Sequence, residues 1–202
     1  MIEHDDARLR LLVVTDDLRD GTEGLVARAT AAARGGATMV LLRLKHVDAA
    51  TLVEVGRALV QALPVPVIVN ERLDVALACG AAGVQLTSWS MPVVAVRPQV
   101  APDFLIGASV SGPNDVLSAA GADYVTIGPV FGGGSEALGL DGFRSLLDAC
   151  GRPGIAIGGI DVDTATTVRT AGAAGVAVIS AVMGSADVQS TAAALWLAVG
   201  DR

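Results

Sequence analysis

The chain has 202 residues, 52% of them hydrophobic, 17% charged and 3% aromatic, with a formal net charge of −7. So apolar a composition excludes a disordered chain, and an acidic balance with no basic run argues against a nucleic-acid partner. No apolar run approaches the roughly 20 residues of a membrane-spanning helix, so no membrane partner is expected.

The length suits one domain over residues 1–202, since a single core serves chains of up to roughly 250 residues. The first ten residues, MIEHDDARLR, mix acids and bases without an apolar stretch and read as a leading tail, not a signal peptide. Cys79 and Cys150 show no pairing pattern, so reduced thiols and a cytoplasmic location are expected. Thirteen of the 14 basic residues are arginine, and Lys45 is the only lysine.

In chain order, the first apolar run covers 11–14, followed by a helical pattern over 24–33 that ends at Gly35-Gly36. A run at 39–42 precedes a helix over 48–63, and a run at 65–69 leads through Asn70 to a helix over 72–79. The fourth run, 83–86, is followed by a weak helix near 92–98. The fifth, 104–107, precedes a helix starting near Pro113-Asn114-Asp115. The sixth, 124–127, leads into a glycine-rich loop and a helix over 142–150. The seventh, 154–157, is followed by a helix over 163–171, and the eighth, 176–179, by a final helix over 187–199.

Continuous apolar runs, as opposed to alternating ones, mark strands covered on both faces, as in parallel sheets. Eight strand–helix units predict a single (β/α)8 TIM barrel, with an open doubly wound sheet as the alternative. A weak repeat favours the barrel. Gly36-Ala37, Gly80-Ala81, Gly121-Ala122 and Gly172-Ala173 each close a helix just before an even-numbered strand. They recur roughly every 45 residues, a two-unit module that closes naturally after four copies.

Chemistry in such a barrel sits at the C-terminal strand ends. After the seventh and eighth runs stand Gly158-Gly159 and Ser180, preceded by Ile179. Glycines let backbone N–H groups approach an anion, and together these residues predict a phosphate cup. Arg43 and Lys45, two apart after the second run, are expected to share a face and hold a second anion. Asn70, Glu71 and Arg72 follow the third run, although Arg72 and Asp74 also suit a plain helix start. Gln85 lies in the fourth run, Ser109 and Ser111 follow the fifth, and Gly132-Gly133-Gly134-Ser135-Glu136 forms a rim loop. No His/Cys set with metal-ligand spacing is present, and His4 and His46 do not look catalytic.

The ordered segments Val14-Thr15-Asp16, Arg43-x-Lys45, Asn70-Glu71-Arg72-x-Asp74, Gly83-Val84-Gln85-Leu86, Gly107-x-Ser109, Gly121-Ala122-Asp123-Tyr124-Val125-x-x-Gly128-Pro129, Ile157-Gly158-Gly159-Ile160 and Ile179-Ser180 resemble the thiamine phosphate synthase superfamily, which includes the thiazole tautomerases. The likeness runs from about residue 11 to residue 198. For a synthase it implies Mg²⁺ and the joining of a pyrimidine diphosphate to a thiazole phosphate. Arg43, Lys45 and Asn70 would take the diphosphate, Ser109 the pyrimidine, and Gly158, Gly159, Ile179 and Ser180 the thiazole phosphate.

Several synthase positions differ. Leu41 replaces a glutamine, Leu44 an acid, Glu71 the first magnesium aspartate and Ser90 the second acid, and the glycine loop replaces one carrying a lysine. The segment Gln85-Leu86-x-Ser88-x-Ser90 resembles the tautomerase branch more closely. The leading expectation is therefore a tautomerase-like isomerase that aromatises a thiazole carboxylate phosphate by a proton shift without a cofactor. Glu71 and Glu136 are its acid–base candidates, and Ser111 stands where the branch usually has histidine. The alternatives are a divergent thiamine phosphate synthase using Mg²⁺ and a non-catalytic regulatory protein that binds a phosphorylated ligand. In each case the partner is a small phosphorylated thiazole-like molecule, and a homodimer is left open.

Overall fold

The computed structural model describes residues 7–132 and 137–200. The elements run β1 (Leu11–Val14), α1 (Gly21–Arg34), β2 (Met39–Leu42), α2 (Ala49–Ala62), β3 (Val67–Asn70), α3 (Leu73–Cys79), β4 (Gly83–Leu86) and α4 (Val93–Val96). They continue with β5 (Leu105–Val110), α5 (Asp115–Ser118), β6 (Tyr124–Ile127), α6 (Gly139–Cys150), β7 (Gly154–Ile157), α7 (Val162–Thr170), β8 (Gly175–Val178), α8 (Ser180–Met183) and α9 (Val188–Val199). The eight strands are parallel and close in sequence order, β8 pairing with β1. This is the (β/α)8 barrel that the apolar runs predict.

Two cores result from the strand period of two. Outward residues such as Val13, Val40, Val69 and Val84 pack under the helices. Inward residues Leu12, Met39, Leu41, Ile68, Leu105, Tyr124 and Ile155 fill the barrel itself. The upper interior changes character on one side, where Gln85 and Thr126 are buried polar residues.

The four glycines of the repeat all take left-handed backbone: Gly36 at φ +107°, Gly80 at +74°, Gly121 at +87° and Gly172 at +106°. In three copies the next N–H reaches five residues back, Ala37 to Ala32, Ala81 to Ala76 and Ala173 to Val168. This is the Schellman closure that turns a helix into the following strand. The third copy follows the one-turn α5, and there Ala122 bonds only to Ala119.

Differences from expectation are at boundaries. β3 begins at Val67 because Pro66 has no N–H to give a ladder, although its carbonyl accepts from Val40. β5 extends to Val110, since polar Ser109 still pairs in register with Thr126. The fourth helix is a single turn that tightens into a 3₁₀ turn at Arg97–Gln99. β8 stops at Val178, which leaves Ile179 at the bend into α8, a short helix ahead of α9. Both cysteines are free, and burial pushes both thiols up. Among the described residues no helix is long and apolar enough to cross a membrane.

Candidate functional site

The mouth is built from β2 round to β8. At β2, Thr15 bridges two strand ends: its Oγ1 accepts from the Arg43 N–H at 2.8 Å and donates to the Arg43 carbonyl at 3.1 Å. Arg43 continues the inward series of Met39 and Leu41, so its side chain rises above Leu41 into the mouth. The expected shared face does not extend by strand geometry to Lys45. The chain leaves the sheet at Leu42 and turns at Lys45 and His46, where His46 has φ +61°.

Among the described residues the Arg43 and Lys45 side chains make no hydrogen bond or ion pair. Neighbouring charges are already matched. Asp16 lies 3.2 Å from Arg28 and also pairs with Arg19, while Asp17 takes Arg19 at 2.7 Å. The two cations therefore stay available for a ligand.

At β3, Asn70 is half-buried and sits in register with Gln85 of β4. Glu71 adopts φ +64°, unusual for a residue with a Cβ. Its N–H is held by the Gln85 carbonyl at 2.8 Å, and its Oε1 accepts from the Thr87 hydroxyl at 3.1 Å. Arg72 pairs with Asp74 at 2.6 Å, both exposed, and this holds the Asp74 carboxyl below its usual range. That pair belongs to the start of α3.

At β4 to β6, Gln85 Nε2 donates to Ser109 Oγ at 3.0 Å and to Thr126 Oγ1 at 3.1 Å. Gln85 is buried beneath Ser109, which itself is half-buried. Ser109 borders a cavity of about 240 Å³ shared with Thr87, Ser90, Ala108 and Asp115. Ser111 is committed to local structure: its N–H and hydroxyl both donate to Asp115 at 2.8 and 2.7 Å, which organises the entry to α5. Glu136 lies outside the described residues.

At β7 and β8, Gly158, Gly159, Ile179, Ser180 and Ala181 line one cavity of about 140 Å³. The two segments singled out in the sequence are thus brought together. Gly158 and Gly159 have φ +95° and +67°. A Cβ on Gly158 would lie 2.6 Å from Pro129 Cα, and one on Gly159 would lie 1.5 Å from the Phe131 carbonyl oxygen. The cup therefore admits only glycine at both places. No side chain caps α8, whose first residues Ser180 and Ala181 face this cavity.

One position at the mouth was not apparent as such: Thr126 reads only as part of a run. The signal for Thr126 is its place in Tyr124-Val125-Thr126-Ile127, the inward phase of a wholly buried strand.

Comparison with known proteins agrees with the fold. The family model described as thiamine monophosphate synthase matches residues 11–182. The chain is 40% identical over 193 residues to a thiamine-phosphate synthase of Roseiflexus castenholzii, covering 91% of this chain and 85% of the relative. It is 39% identical over 191 residues to one of Pyrococcus abyssi, covering 90% of each. A solved structure of thiamine phosphate pyrophosphorylase from Pyrococcus furiosus superposes with a TM-score of 0.85 at 38% identity, covering 96% of both chains. The relatives carry synthase names, so the tautomerase expectation gives way to the alternative set beside it. With its closed barrel and this breadth of similarity, the chain belongs to the thiamine monophosphate synthase family.

Proposed function

We propose that the protein is a thiamine-phosphate synthase, a transferase that joins a pyrimidine diphosphate to a thiazole phosphate and releases pyrophosphate. The arrangement that supports this reading is a glycine-lined cavity with Ser180 at β7 and β8, together with Arg43 and Lys45 at β2, whose side chains have no partner among the described residues. A proton shift on one phosphorylated substrate needs an acid–base group, and the serine at the tautomerase histidine position cannot titrate near neutral pH.

In this reading the thiazole phosphate sits in the cup against backbone N–H groups and the Ser180 hydroxyl. The diphosphate lies between Arg43, Lys45 and Asn70. The thiazole ring nitrogen forms a bond to the pyrimidine methylene as the bond from that carbon to the diphosphate oxygen breaks, and pyrophosphate departs with both bonding electrons. Arg43 binds oxygen pairs in a planar fork and Lys45 acts as a point charge, so both oppose the charge that grows on the leaving group.

Magnesium is tested by the donors present. Mg²⁺ keeps several waters and binds through one or two carboxylates plus substrate phosphates. Glu71 is exposed at the mouth with one oxygen accepting from Thr87, and Ser90 stands beside Thr87, its Oγ accepting the Thr87 N–H at 3.0 Å. With the diphosphate supplying further oxygens, this set would fit a magnesium ion, which Glu71 would hold with Ser90 nearby, and the ion would supply further neutralisation of the diphosphate. The test is incubation of the protein with both substrates and Mg²⁺. Thiamine phosphate and equimolar pyrophosphate are expected, and conversion of a thiazole carboxylate phosphate to its aromatic tautomer without them would refute the reading.

A further inference from the structure

The ring of helices is thin on one side of the barrel. α4 and α5 are single turns of 4 residues each, whereas α1 and α2 run to 14. α4 buries Val93 and Val96 and turns Val94 to solvent. The cavity of about 240 Å³ is lined by Leu86, Ala108 and Ala119, all part of the outer core, together with Met91 from the loop before α4 and Ser118 of α5. It therefore reaches past the mouth to the outer side of the strand wall, and the β4–α4 segment and α5 are neighbours across it.

Exposed apolar side chains collect around this gap. Trp89 is 93% exposed and Leu117 of α5 is 86% exposed, with Met91 and Val94 also open to solvent. The other large apolar residues exposed among the described ones, Leu77, Val162 and Leu197, lie singly on α3, α7 and α9. Single exposed apolar residues are ordinary, and a cluster is not. The same sector is stripped of charge in a chain that is 17% charged: no residue from Leu86 to Val96 is ionisable, and Asp115 alone is charged from Phe104 to Ala122. Asp115 accepts from the Ser111 and Gly112 N–H groups and the Ser111 hydroxyl, so its carboxylate serves its own loop. Tryptophan and methionine without charge is the composition of an interface core.

We propose that the face formed by the β4–α4 loop, α4 and α5 is a self-association surface, through which two copies of the chain pair about a twofold axis with Trp89 and Leu117 at its centre. Charge selects a second copy as the occupant. Each copy carries a net charge of −7, so most pairs of faces repel. A face without net charge on one copy meets the same face on the other without that cost, and a twofold interface is self-complementary in this way. Area agrees. Four side chains this open offer on the order of 500 Å² of apolar surface. That is a fitting core for the roughly 800 Å² that each partner gives to a standard interface. Exposed Ser88 and Ser118 supply polar groups at its rim. The inference does not depend on the synthase reading.

The experiment is sedimentation equilibrium of the full chain across the micromolar range. The wild type is expected to pass from one chain mass to two. Trp89→Arg and Leu117→Arg should each raise the dimer dissociation constant at least tenfold, because a twofold interface carries every substitution twice. Both changes reduce the net negative charge, so a loss of pairing cannot come from added repulsion between copies. Leu197→Arg makes the same change on exposed α9 and should leave the constant within twofold of wild type. Trp89→Ser and Leu117→Ser add no charge and should each raise the constant at least threefold, which keeps the test open where an arginine variant fails to fold. A wild type that stays at one chain mass throughout would overturn the proposal and leave the face to some other partner. A dimer that the Trp89 and Leu117 variants do not weaken, or that Leu197→Arg weakens as much, would also overturn it.

Discussion

Gly159→Ala gives the most direct test of the phosphate cup. Two costs follow from the structure. At φ +67° an L-residue is disfavoured by about 1–2 kcal/mol. In addition, the new Cβ would lie 1.5 Å from the Phe131 carbonyl oxygen and 2.4 Å from its carbon. These are backbone atoms, so no side-chain rotation relieves the clash. The loop after β6, whose Phe131 N–H donates to the Gly158 carbonyl at 2.8 Å, must move away from the loop after β7. Gly80→Ala supplies the control. Gly80 has φ +74° and open space within 4 Å, and it lies at the opposite end of the barrel. It carries the backbone cost alone, so its melting temperature should fall by about 2–4 °C per kcal/mol in a chain of this size. Thiazole phosphate binding should be unchanged in that variant. Gly159→Ala should melt lower still and bind thiazole phosphate at least tenfold more weakly, about 1.4 kcal/mol. Affinity within twofold of wild type, alongside a clear loss in melting temperature, would show that the glycines serve only the turn and that the phosphate binds elsewhere.

Three other outcomes are expected. Lys45→Ala should weaken pyrimidine diphosphate binding by about 1.5–3 kcal/mol, the range for hydrogen bonds to charged groups, with little change in melting temperature because the side chain is exposed and has no partner among the described residues; a large melting loss at full affinity would refute the role assigned to it. Titration calorimetry should detect Mg²⁺ binding only when the diphosphate is present, and Glu71→Gly should abolish it while leaving stability level or higher, since glycine relieves a φ of +64°. Asp161 caps α7, accepting from the Asp163 and Thr164 N–H groups, and the Thr164 hydroxyl together with these bonds holds its carboxyl below the usual carboxylate range. Its folded value lies under its unfolded one, so its contribution is complete above about pH 4 and is lost as pH falls through the folded value. Asp161→Ala should cost about 1 kcal/mol at pH 7, and in melts recorded down the acid range the difference should vanish.

Much of the architecture was readable in the sequence because it follows from local rules. Runs such as Leu11-Leu12-Val13-Val14 are apolar on both faces, which only a strand enclosed on both sides tolerates. The four Gly-Ala turns carry their own backbone requirement, and the Gly158-Gly159 pair with Ser180 falls at fixed places in that frame. The partnerships within the mouth were another matter. That Arg28 is matched by Asp16 while the Arg43 side chain has no partner among the described residues, or that Ser111 belongs to Asp115, depends on distances between loops that composition does not express. The clearest case is Gln85, which looks like a ligand-facing amide in its strand. The stagger of the barrel sets Gln85 level with Gly107 and Ser109 level with Thr126. Only that register, a property of eight strands closing together, places the amide within hydrogen-bond reach of both Ser109 and Thr126.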